Sequence, residues 1–242
     1  SHFTQEEMLT IFAERGGDPA RPGKHNPLDA LVWRHERPND PSWETSLGAG
    51  RPGWHIECSA IATKYLGDTV DVQGGGADLK FPHHEMSAAH AETATGKHPF
   101  AKAYVHVGLV ALDGHKMSKS RGNLVFVSKL RASGVDPMAI RITILNNHYR
   151  TEWEWFDSAL DAGIRRLATW RAAFASPTSA TDVSTHVAAA LALDLDTPRA
   201  IALIDEWAAL TISGASTSTT AGATMARTVD ALLGIKLSLI HI

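Results

Sequence analysis

Between residues 70 and 112 the chain passes from a short β-like run, VDVQ, through three glycines and a helical stretch at 85–95 to a second apolar run at 103–112. Two strands with a helix between them are too far apart in sequence for a tight hairpin, so they pair in parallel. Another helical segment at 56–65 precedes the first run. This alternation predicts a parallel α/β sheet, of which only part lies in these residues. Beyond residue 130 the pattern becomes wholly helical: Pro137 suits a first helical turn, and Phe156, Leu160, Ile164, Leu167, Trp170 and Phe174 recur at spacings of three and four. That half reads as a helical bundle, with loops at 176–185 and 213–220 and a periodic helix at 198–210 between them. Trp153, Trp155, Trp170 and Trp207 read as packing residues rather than as a platform for stacking RNA bases.

At the start, Thr4 and Glu7 fit a capping box, Met8, Leu9, Ile11 and Phe12 supply an apolar face, and Gly16 and Gly17 end the helix. Residues 21–53 are rich in Pro, Gly, Asn and Asp and read as an ordered, irregular connection anchored by Trp33 and Trp43. The chain opens without methionine and closes on an apolar tail at 238–242, so an upstream segment and a foreign tail are both expected.

Composition excludes some functions. A formal charge of −3 gives no basic field to gather nucleic acid non-specifically. The single cysteine, Cys58, cannot form an internal disulfide and suits a reducing, cytoplasmic setting, as buried filler, metal ligand or nucleophile. No apolar run reaches membrane-spanning length.

Three blocks carry chemistry. In HKMSKSRGN, at 115–123, Lys116, Lys119, Ser118, Ser120 and a glycine offer charge and donors to a polyphosphate, though a Lys/Ser run can also be a solvated loop. In GGGADLKFPHHE, at 74–85, Gly74, Gly75 and Gly76 would let backbone approach a nucleotide at a sheet's carboxyl edge, and Asp78 can take an amino group or a hydroxyl. RPGWHIECSAIA, at 51–62, carries Trp54 and Cys58.

Together, in this order, the blocks resemble the cysteinyl-tRNA synthetase superfamily of class I synthetases, from residue 27 to about residue 237. The resemblance implies the C-terminal half of a Rossmann-type parallel-sheet catalytic domain over 1–130, followed by a helical bundle over 131–237. The HIGH-type half is absent from this sequence, so the 242 residues alone are expected to be inactive. It also implies one Zn2+ on Cys58 and His83 with a third ligand upstream, ATP with Mg2+ as substrate, adenylate contacts from Gly74 to Gly76, Asp78, Ser118 and Ser120, and catalysis by Lys116 and Lys119. Asp78 would recognise the amino group of cysteine and Trp54 would pack by its side chain.

The tRNA enzymes of the superfamily continue FPHHENE, with a further glutamate ligand where this chain has Ser87, and add an anticodon-reading domain. QGGGADL, FPHHEMSAAHAE, LDGHKMSKSRGN and LDLDTPRA resemble instead the actinobacterial cysteine ligases of mycothiol biosynthesis. That resemblance implies activation of L-cysteine as its adenylate and transfer to the amine of glucosaminyl-inositol, with no tRNA partner. A cysteinyl-tRNA synthetase and an inactive remnant serving as a binding module are the alternatives. His106 stands open between a ligand-lining and a core role, and no residue identifies itself as a general base.

Overall fold

The structure is a computed structural model with all side chains and describes residues 2–118, 121–214 and 218–237. Lys119, Ser120 and the tail at 238–242 lie outside the described residues. By compactness the chain divides into Ser1–Val107 and Gly108–Ile242. The boundary drawn at residue 130 from sequence pattern stands as a proposal about domain organisation.

In the first unit, helix α1 (Gln5–Glu14) starts at the expected capping box: Thr4 N–H donates to Glu7 Oε2 at 2.7 Å and Glu7 N–H to Thr4 Oγ1 at 3.3 Å. It stops where Gly16 takes a φ of +87°, which side chains resist. Its Phe12 packs at 6.5 Å, ring to ring, on Phe81. Strands β1 (Trp33–His35) and β2 (Gly50–Pro52) form an antiparallel pair within the irregular connection. Trp43 does not anchor it: the ring is 57% exposed, and the residue is held by backbone bonds to Gly50. Backbone pairing leaves the side chain no need of a core.

Helix α2 (Trp54–Leu66), strand β3 (Val70–Gly76), helix α3 (Glu85–Thr95) and strand β4 (Ala101–Val107) complete the unit. β3 and β4 pair in parallel, from Val70 opposite Ala101 to Gly76 opposite Val107. Val70, Ala91, Phe100 and Ala101 form the buried centre between sheet and helix, packed by Ala62 and Ala88. The run expected as one strand at 103–112 is two. β4 ends at Val107, and at Gly108 a Cβ would lie 2.3 Å from the carbonyl oxygen of Thr151. The chain there joins another layer, its Gly108 N–H donating to Tyr149 O.

In the second unit, β5 (Val110–Leu112) pairs antiparallel with β6 (His115–Lys116) and parallel with β7 (Trp153–Glu154). Helices follow: α4 (Val127–Ala132), α5 (Pro137–Leu145), α6 (Asp157–Phe174), α7 (Ser184–Ala192), α8 (Thr197–Ile212) and α9 (Ala221–Leu233). Pro137 takes the first turn of α5 as expected, with Asp136 capping the N–H of Met138 at 2.8 Å. Gly163 lets α5 and α6 touch, since a Cβ there would lie 2.3 Å from Thr143 Oγ1. The core joins Ile142, Leu167, Trp170, Ile204, Trp207 and Met225. Phe156 and Ile164, expected on the apolar stripe, are instead half-exposed. Ser184 and Thr185 belong to α7 rather than to the preceding loop, because Asp182 Oδ1 accepts the N–H of Ser184 at 2.7 Å and starts the helix early. Among the described residues no helix is long and apolar enough to cross a membrane.

Candidate functional site

The first unit brings together two of the three sequence blocks. Gly53 sets the entry of α2: a Cβ there would lie 1.8 Å from the carbonyl oxygen of Leu31, so only glycine fits. The next residues, Trp54 and His55, therefore fall at the helix's first turn, with Cys58 a turn further on. The segment between β3 and α3 carries the rest of the cluster. Asp78 lies in a 3-10 turn (Ala77–Leu79), followed by a π-type turn (Lys80–His84) with His83 and His84, both buried. Arg15 at the end of α1 donates to the carbonyls of Asp78 and Phe81, tying this turn down.

Side-chain geometry is dense here. The Trp54 ring stacks on His83 at 4.1 Å, and Nδ1 of His55 lies 2.9 Å from Nδ1 of His83. Two serines fix the backbone beneath: Ser59 Oγ donates to the carbonyls of His55 at 2.9 Å and Ser87 at 2.7 Å, and Ser87 Oγ donates to His55 O at 3.2 Å. Ser87 is thus part of the seam between α2 and α3. Burial, then the neighbouring imidazoles of His83 and His90, pushes His55 down to about 4, and burial also lowers His83 and His90. Burial raises the Cys58 thiol, with Glu57 adding to it.

These observations test the fit of a metal. Neutral imidazole is the ligating form, and Nδ1 of His90 is buried without a partner among the described residues. Cys58 and His83 are suitable donors by chemistry. Among the described residues no group of three or more His, Cys, Asp or Glu side chains is gathered as a metal cage. The described residues thus supply donors of the type zinc takes without gathering them into a cage. His55 was not singled out from sequence, and its only signal was its place one helical turn before Cys58.

His84 turns the other way, its Nδ1 2.8 Å from Nε2 of His106 on β4. Burial, then His106 and His83, lowers His84 to about 4. This accounts for one of the glycines: a Cβ at Gly75 would lie 2.9 Å from both His84 Cε1 and Leu79 Cδ1. Gly74 is uncrowded, its nearest atom being Val105 O at 4.0 Å. Gly75→Ala should cost about 1–3 kcal/mol by forcing this packing apart. Urea unfolding checks it, and a midpoint equal to that of the parent would refute the crowding.

The second unit holds the third block. Lys116 ends β6, and Met117 packs against the cluster of Ile140, Trp155 and Leu160. Asn123 closes the loop: its Oδ1 accepts the N–H of Ser118 at 3.0 Å, and its Nδ2 donates to Lys116 O at 3.2 Å and His115 O at 3.4 Å. Asn123 was quoted in the motif without a role. The loop's donors Lys119 and Ser120 are outside the described residues.

Residues 4–165 match the family described as tRNA synthetases class I (C) catalytic domain. Among curated proteins, the L-cysteine:1D-myo-inositol 2-amino-2-deoxy-alpha-D-glucopyranoside ligase of Streptomyces griseus is 59% identical over 98% of this chain and 59% of its own length. Ligases of the same name from Thermomonospora curvata and Mycolicibacterium smegmatis are each 56% identical, over 98% of this chain and 58% of their own length. The chain thus spans under two thirds of the length of these relatives. Among solved structures, an Agrobacterium radiobacter K84 LeuRS-tRNA-LeuAMS complex matches 80% of this chain and 32% of its own with a TM-score of 0.53 and 17% identity, a likeness of fold alone. With its parallel β3–β4 pair, its FPHH turn and its Lys-Met-Ser segment set out as above, the chain belongs to the class I (C) tRNA synthetase catalytic-domain family.

Proposed function

We propose that the protein of which these residues are part joins L-cysteine to the amine of glucosaminyl-inositol at the expense of ATP. The carrying observation is the 56–59% identity, over 98% of this chain, to ligases bearing that name. In the first step a carboxylate oxygen of cysteine attacks the α-phosphorus of ATP, the bond to the β-phosphate oxygen breaks, and pyrophosphate leaves. Lys116 and Lys119, with Ser118 and Ser120, neutralise charge on the leaving group, and Mg2+ accompanies the nucleotide. Met117 and Asn123 pin the described part of that loop, so little reorganisation is needed when charge develops.

In the first unit, Asp78 accepts the ammonium of cysteine, Trp54 covers its side chain, and the β3 end at Gly74 to Gly76 lies against the adenylate. Cys58 and His83 would hold Zn2+ with a third donor from outside the 242 residues, and the metal would supply a Lewis acid that prefers the substrate's thiolate to a serine hydroxyl. In the second step the amine attacks the adenylate's carbonyl carbon and AMP departs.

The matching family is named for tRNA synthetases, so tRNA is the competing acceptor. Full-length protein given ATP, cysteine and either glucosaminyl-inositol or tRNA, with mass detection of products, decides between them. Cysteinylated amino sugar and unaltered tRNA are expected, and charged tRNA without the sugar amide would overturn the reading.

A further inference from the structure

On this reading a neutral amine must attack the adenylate, yet none of the residues assigned above takes its proton. The first unit contains a cavity of about 680 Å³, bounded by the end of α1, segments within residues 16–34, β2 and the start of α2. Small-molecule sites commonly measure about 300–1,000 Å³. The cavity adjoins the cluster already described, because Trp54, His55 and Pro82 form part of its wall and both Trp54 and His55 contact His83. Phe12, Trp33 and Trp54 give it aromatic surface, to which the C–H faces of a sugar or cyclitol ring can pack.

Its charge is lopsided. Arg15, Arg21, Lys24, Arg34 and Arg51 line it, against the carboxylates of Asp18 and Asp29. Asp29 is turned to its own loop, where it accepts the backbone N–H groups of His25 and Asn26 at 3.0 Å. Asp40 neutralises Arg34 by direct pairing, at 2.5 Å, and the cationic excess survives that pairing.

We propose that this cavity binds the acceptor, a pseudo-disaccharide of amino sugar and cyclitol, and that its cationic walls hold the bound amine in its neutral, nucleophilic form. The inference rests on the ligase reading above. An ammonium is disfavoured both by like charges and by loss of water, so its pKa falls without any dedicated base. The guanidinium groups of Arg21 and Arg51 meanwhile donate to hydroxyls, which remain neutral. In the step itself the amine lone pair forms the C–N bond, the carbonyl–phosphate oxygen bond breaks with its electrons leaving on AMP, and the nitrogen's surplus proton passes to water.

The test uses full-length protein with Arg21→Glu, Arg51→Glu and their milder alanine counterparts. Two half-reactions are followed: cysteine-dependent exchange of pyrophosphate into ATP, and amide formation with glucosaminyl-inositol across a pH series. For the reversals, the ratio of acceptor kcat/KM to exchange should fall at least tenfold. The acid limb of kcat for amide formation at saturating acceptor should also move to higher pH, because removing cations lets the bound amine hold its proton longer. The alanine variants should lie between. Transfer and exchange falling in proportion, or an unmoved acid limb, overturns the proposal. A parent that exchanges pyrophosphate but never acylates the amino sugar overturns the ligase reading, and this inference with it.

Discussion

Replacing Trp170 with alanine should remove about 3–5 kcal/mol of stability, a large share of the roughly 5–15 kcal/mol by which a domain is usually folded. The side chain is fully buried in the helical core among Ile142, Leu167, Ile204 and Trp207, so truncating it leaves a cavity in packed surroundings. It also carries a polar obligation: Nε1 donates to Asp205 Oδ1 at 2.7 Å. Asp205 receives Arg166 Nε as well, at 2.9 and 3.1 Å, so losing the indole does not orphan the carboxylate. Trp170→Phe should therefore cost less, about 1–3 kcal/mol, mainly the lost bond to a charged acceptor. Urea unfolding followed by far-ultraviolet circular dichroism measures both. A shift in midpoint at constant slope is expected, and equal losses for the two variants would contradict the account.

The second large effect concerns Cys58. Cys58→Ser preserves volume and helix position but exchanges a soft sulfur donor for a hydroxyl that stays protonated, so zinc content should fall and cysteine-dependent pyrophosphate exchange should be abolished. His83→Ala should do the same. Ser87→Ala provides a contrast, because it removes only the 3.2 Å bond to the His55 carbonyl and leaves both donors in place. It should cost about 0.5–1.5 kcal/mol of stability while keeping the metal. Metal analysis of purified full-length variants checks these outcomes. Full zinc and undiminished exchange in Cys58→Ser would remove Cys58 from the ligand set.

Local signals were the most legible. The Thr4–Glu7 box, Pro137 and the span of α3 depend on residues close in sequence, and each was read correctly. Misreadings came where distant backbone intervenes. One apolar run became β4 and β5 because Gly108 abuts Thr151, a neighbour 43 residues away that no local pattern reveals. Trp43 was read as an anchor of the irregular connection, yet its place is fixed by main-chain bonds to Gly50. The motif blocks marked out segments, two of which the structure packs against one another, but the partners within them were hidden. His55 meets His83 only because Ser59 and Ser87 stitch two helices at one level, and Asn123 closes its loop by folding back on His115 and Lys116.

The contact between His55 and His83 has a consequence in proton bookkeeping. Two Nδ1 atoms 2.9 Å apart can share one hydrogen and no more, so the tautomers of the two neutral rings are locked in opposition. If His83 offers Nε2 to a cation, its hydrogen sits on Nδ1 and points at His55, whose own hydrogen must then sit on Nε2. If His83 offers Nδ1, the contact has to open. The nitrogen that His83 would offer a cation is thus recorded in the tautomer of its neighbour, and nitrogen-15 resonances of His55 would reveal it.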